Sequence, residues 1–217
     1  MDQVSQTVLI GLVAVVVGWF AFGNIYNIRH GNAVLRWMQG GLPRLGSKTT
    51  VQWRGTSVAQ LNIAQAKAPF KSAELLLVLE PRDIPWYWLM TRNQRRRDML
   101  IIRGWLSTTL PVDYDLYAPG SWSEQLTSGR GETQNWKTET LDGLNLRASL
   151  SYQSAAREQA TRALSAARSV DAKIWRLSCR RSEQNLELHV PLPNPRTANA
   201  EHFFKAVQTL VEQMSKH

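Results

Sequence analysis

Asp113 and Asp115 stand two residues apart in an alternating apolar stretch, which places both carboxylates on one face of a strand. That spacing suits a bound metal ion or a general acid–base couple. Arginine-rich surroundings favour the plainer reading, a solvated sheet face. His189 alternates with Glu187 in a later strand pattern, and Arg176 with Arg180 in the one before it. These four make either a small polar site or, as the expectation here, another solvated face. The remaining histidines, His30, His202 and His217, are dispersed along the chain. Cys179 is the one cysteine, which excludes an intramolecular disulfide and a thiolate metal site. In alternation with Leu177 and Trp175 it reads as a buried, inert thiol. The sequence has no Walker A pattern, no Gly-x-Gly-x-x-Gly, no His-Glu-x-x-His and no Gly-x-Ser-x-Gly. No catalytic residue, cofactor or metal is therefore expected, and the chain does not read as an enzyme.

The most unusual segment for binding is residues 84–90, Ile-Pro-Trp-Tyr-Trp-Leu-Met, followed closely by four arginines. Tryptophan and tyrosine rings favour the headgroup boundary of a bilayer, and the planar arginine fork matches phosphate. Trp86, Tyr87, Trp88, Arg92, Arg95, Arg96 and Arg97 are thus expected to form a loop that touches a membrane surface. The bland alternative makes the tryptophans core residues and the arginines a solvated turn. Aromatics interleaved with basic residues also suit a nucleic-acid strand. No nucleic-acid motif accompanies them, so nucleic acid is not an expected partner.

What would hold such a loop at a membrane is the beginning of the chain. Residues 7–26 contain no charged side chain. Twenty residues in a helix rise about 30 Å, the thickness of a bilayer's hydrocarbon core. The preceding residues 1–6 carry one acid and no Lys or Arg, and the exit carries Trp19, Phe20, Phe22 and Tyr26 instead of a small-residue cleavage site. A retained single-pass anchor fits these features better than a signal peptide. All 26 Lys and Arg follow residue 28, and seven basic residues lie between positions 29 and 71 with no acid among them. The positive-inside rule then places the short N-terminus outside and the rest in the cytoplasm of a cell membrane. Within the span, Thr7, Gly11, Ala14, Gly18 and Ala21 recur at spacings of 4, 3, 4 and 3 on one side of a helix. Small residues let helix backbones approach closely in lipid, so this side is the expected packing face for another transmembrane helix, its own copy or another subunit's.

Beyond the span, residues 27–46 read as a Gly-rich juxtamembrane connector, in which residues 33–38 either lie at the interface as a short helix or pack on the domain. Residues 47–217 read as one folded domain of ordinary size, with 43% apolar residues and nine tryptophans over the whole chain to supply a core. Period-two alternation marks strands around positions 51–54 and 59–63, an apolar run at 74–79, then 99–106, 112–117, 144–150, 173–180 and 186–192. Residues 154–169 and the stripe Phe203, Val207, Leu210, Val211, Met214 mark two helices in the C-terminal half. Trp105, Trp122 and Trp136 read as packing residues, and Gly129-Arg130-Gly131 as a loop. Hairpins outnumber crossovers, so the class is α+β with a mainly antiparallel sheet. From 27 onward 26 basic residues face 16 acidic ones, a charge that anionic lipid would attract. The functional expectation is a non-enzymatic membrane-anchored accessory or scaffold subunit of a membrane assembly. The alternative is a membrane-associated domain that binds an anionic lipid or small acidic ligand.

Overall fold

A computed structural model of the chain describes residues 2–125, 135–168 and 173–214. The 129–131 loop reading lies outside the described residues. Helix α1 runs unbroken over Gln3–Gln39, about 55 Å of continuous rod. It is long and apolar enough near its start to cross a membrane. The stretch expected as a Gly-rich connector is therefore helical as far as Gln39, and residues 33–38 are the last turns of α1, packed on the domain. The physical reason is a second stripe. Gly23, Asn27, Gly31, Val34 and Met38 are buried at 3/4 spacing and keep the helical register through Gly31. Two glycines are required there by close approach. A Cβ on Gly23 would lie 2.2 Å from the carbonyl oxygen of Arg82, and one on Gly31 2.4 Å from the Trp53 ring.

Nine strands form one sheet: β1 Thr49–Arg54, β2 Val58–Ile63, β3 Phe70–Val78, β4 Met99–Leu106, β5 Tyr114–Tyr117, β6 Trp136–Leu141, β7 Leu144–Ser149, β8 Arg176–Arg180 and β9 Asn185–Pro191. Their order is β1-β2-β3-β4-β9-β8-β5-β7-β6, with every pairing antiparallel. Helices α4 (Gln153–Arg168) and α5 (Ala200–Met214) pack on one face together with the second half of α1. Buried Ala156, Ala160, Ala163 and Ala167 let α4 approach closely, and Asn199 Oδ1 caps α5 by accepting the His202 amide at 2.9 Å. Trp37 donates to the Ala198 carbonyl at 2.7 Å and packs on Phe203 and Phe204, which ties α1 to α5. The α+β class, the antiparallel sheet and both C-terminal-half helices agree with the sequence reading.

Two elements escape it. Trp136 opens an edge strand, β6, whose alternation is too weak to register. The available signal was Asp142-Gly143, which turn with φ of 57° and 77° into a two-residue hairpin. Residues 84–90 are not a loop but belong mainly to helix α2, Pro85–Asn93, with proline in its first turn. A four-residue helix, α3 (Trp122–Gln125), lies on the other face of the sheet from α4 and α5.

Candidate functional site

Helix α2 lies against α1 where the long helix leaves the domain. Trp88 meets Trp19 with ring centroids 6.0 Å apart, and Trp19 Nε1 donates to the Arg82 carbonyl at 2.9 Å. Below this contact the helix is fastened by a polar knot. Asn27, fully buried, donates to the Glu80 carbonyl at 3.0 Å and accepts from Arg82 Nη1 at 3.2 Å. Arg82 grips Asp98 with both terminal nitrogens, at 3.0 and 2.8 Å, and lies over the Tyr26 ring. Burial pulls the Arg82 pKa down, but its bonds to Asp98 and the nearby Glu80 outweigh this, so the guanidinium stays charged. Glu80, 2% exposed, accepts from Trp88 Nε1 at 2.6 Å and from Arg92 at 3.3 Å.

The seven residues expected at a membrane surface are thereby divided. Trp88 and Arg92 hold α2 to Glu80. Arg95 approaches the Gly120 carbonyl, Arg96 lies over Trp122, and Arg97 donates to the carbonyls of Arg92 and Arg96. Trp86 and Tyr87 face outward, Trp86 at 66% exposure, and Leu89 and Met90 join them. The outer side of α2 is thus apolar and uncovered, beside the bare part of α1. Thr7, Gly11, Ala14, Gly18 and Ala21 are all exposed on that bare part. At 100° per residue their stripe lies roughly 160° around the helix from the stripe buried in the domain.

Next to the polar knot there is a groove of about 1010 Å³, walled by α1 and by residues 191–196, with Glu80, Arg97 and Asp98 also in its lining. Phe22, Ile25 and Tyr26 line its outer end, and Arg29, Arg36 and Arg196 its inner end. No sequence pattern announced it, because its second wall comes from 160 residues further along the chain.

The sheet face opposite α4 and α5 carries a ladder of polar and charged groups across seven strands. Arg54 donates to Gln60 at 2.8 Å and Gln60 to Glu74 at 2.5 Å. Arg103 joins Glu74 (3.5 Å) to Glu187 (2.7 Å), and Arg176 joins Glu187 (2.8 Å) to Asp115 (3.4 Å). Arg180 ends the row on Asp115 at 2.8 Å. The expectation of a solvated face here is corrected: Asp115 and His189 are fully buried and Arg176 is 1% exposed. Sequence alternation reports that two groups share a face, not whether water reaches it. Asp113 does not join Asp115; it accepts the Arg181 amide. Cys179 is buried, as expected, and burial with the nearby Asp115 charge pushes its thiol up to about 12.

His189 sits between Ser123 Oγ (3.1 Å from Nδ1) and Glu187 (2.8 Å from Nε2). The order hydroxyl, imidazole, carboxylate is that of an activated nucleophile. A nucleophile must reach a substrate carbon, however, and Ser123 is 1% exposed. Glu187, moreover, is paired with Arg103 and Arg176. Burial raises the Glu187 pKa, but the His189 hydrogen bond and the arginine charges overcome this and hold it well below the usual carboxylate range. Burial lowers His189 from 6.5 against the opposing pull of Glu187, so the ring is neutral in the folded state. The unfolded chain therefore binds the extra proton first as pH falls. Stability is expected to be flat above pH 7 and to decline below about 6.5, by up to about 1.4 kcal/mol per pH unit, with Glu187 extending the loss below 4.5. Denaturant unfolding of full-length protein in detergent checks this, and His189→Asn should flatten the upper part of the curve. A domain that gains stability between pH 6.5 and 5 would show that the ring is not held neutral.

Among the described residues no group of His, Cys, Asp and Glu is arranged to hold a metal ion. Compared with protein-family models and with curated proteins, the chain matches none, so its function has to be read from this geometry.

Proposed function

We propose that this is a non-enzymatic, single-pass membrane protein whose basic domain is strapped to the cytoplasmic leaflet and offers a scaffold surface within a membrane assembly. The observation that carries the reading is the foot of α1. Apart from half-buried Val16 and the Trp19 contact, residues 3–22 stand exposed over about 30 Å, and the uncovered apolar side of α2 lies beside the point where they meet the domain. A span and an interfacial helix joined by the Trp19–Trp88 contact fix the domain's height and tilt on the bilayer. Retention of the anchor is supported by Gly23, Asn27, Gly31, Val34 and Met38, which are core residues of the same helix. The cationic run from position 29 to 71 supports the cytoplasmic orientation. The ladder's charged groups are bound to one another, which supports a surface role over a catalytic one.

The assembly reading rests on the stripe Thr7, Gly11, Ala14, Gly18 and Ala21, which points away from the domain and leaves open space above Gly11 and Gly18. Gly11→Leu with Gly18→Leu is expected to abolish partner crosslinking and co-purification of the full-length protein after mild extraction, with no loss of domain stability. A lone monomer in wild-type extracts would sink the assembly reading. Labelling of Ser123 by a fluorophosphonate would sink the non-enzymatic one.

A further inference from the structure

We infer that the groove at the foot of α1 binds the phosphate of an anionic lipid headgroup, an inference that rests on α1 crossing the bilayer. Phe22, Ile25, Arg29 and Arg36 follow one another down a single side of α1 and line one wall. The wall thus changes from apolar to cationic over about 20 Å, away from the bare end of the helix. Arg196 faces it from the segment after β9, and Leu192 and Pro193 complete an apolar floor.

The charges in this groove are unbalanced. Its two acids already have cations: Glu80 has Arg82 and Arg92, and Asp98 has Arg82. The guanidiniums of Arg29, Arg36 and Arg196 make no ion pair or hydrogen bond among the described residues. Three unpaired arginines around one concavity repel each other, and a phosphate with several acceptor oxygens removes that repulsion. A soluble phosphate would satisfy the arginines alone. A phospholipid also accounts for Phe22 and Ile25, which stand exposed on the apolar side of the arginines.

The test is native mass spectrometry of the full chain released from nanodiscs of mixed phosphatidylglycerol and phosphatidylcholine. Retained phosphatidylglycerol is expected to exceed phosphatidylcholine. Arg29→Gln, Arg36→Gln and Arg196→Gln together should weaken retention on the order of a hundredfold, at about fivefold per guanidinium. Lys71→Gln, Arg157→Gln and Arg181→Gln remove the same charge from exposed positions elsewhere and should leave retention within about twofold. Equal loss in both triple variants would mean diffuse attraction and overturn the site. An inserted chain with no lipid preference overturns the site while leaving the anchor standing. A chain that does not insert overturns the anchor first. Binding of inorganic pyrophosphate in pure phosphatidylcholine discs, without lipid preference and lost in the groove variant, would overturn the lipid in favour of a soluble phosphate.

Discussion

Replacing Asp115 with alanine is expected to cost the domain about 3–5 kcal/mol, enough to leave much of the chain unfolded. The carboxylate is fully buried and accepts from both Arg176 and Arg180. Removing it leaves the buried Arg180 without an anion and Arg176 with Glu187 alone. The loss should therefore exceed the value of the ion pairs themselves. Asp115→Leu combined with Arg176→Met and Arg180→Met should recover much of it, because the desolvation of all three charges disappears together. Urea unfolding of full-length protein in detergent measures both variants. A single variant within about 1 kcal/mol of the parent would mean that the ladder behaves like a surface salt bridge.

The same residues show what was legible in the sequence. Alternation paired Glu187 with His189 and Arg176 with Arg180 on strand faces, and the structure brings Asp115, which alternation had paired with Asp113, to the same face. Burial was not legible, because it depends on α3 and Trp136 reaching across the sheet, with Ser123 on His189 and Trp136 against Arg180. The antiparallel sheet and helices α4 and α5 were legible because their periodicity is local. Helix α1 was legible only in its apolar half. In its second half the apolar content falls and Gly31 and Arg36 interrupt the pattern, yet Gly23, Asn27 and Gly31 are buried by backbone approach instead of apolar bulk. Glycine and asparagine in a helix advertise a break, and here they mark a close contact. For residues 84–97 the composition was informative and the arrangement was not. Helix α2 turns Trp86, Tyr87, Leu89 and Met90 outward, while Trp88 and Arg92 serve the protein's own Glu80.

Helix α1 thus has two jobs on one rod. Its second half is a piece of the domain core, so under the proposed reading tilt of the span in the bilayer would be tilt of the domain. Any partner gathered by the small-residue stripe would meet the domain in a fixed pose, and a lipid in the groove would sit at a fixed depth.

The second large effect is all-or-none. Single cysteines placed along the chain are expected to fall into three classes toward an impermeant maleimide. The native Cys179 is silent background, being buried and ionising only near 12. In intact cells a cysteine at Ser5 should react. A cysteine at Lys71, exposed on β3, should react only after the membrane is opened. Cysteines at Gly11 and Gly18 should react in neither condition until detergent is added, although both positions are open to solvent when the chain stands alone. Leu89 in α2 should be protected at least tenfold relative to Lys71 after opening, since a thiol at the headgroup boundary ionises poorly and meets reagent slowly.

The most direct of these is the pair at Gly18 and Lys71 in membranes opened without detergent. Lipid around residues 3–22 predicts a blocked Gly18 cysteine beside a fully reactive Lys71 cysteine on the same domain. Equal reaction at both positions, or recovery of mature chains that begin after residue 22, would contradict it.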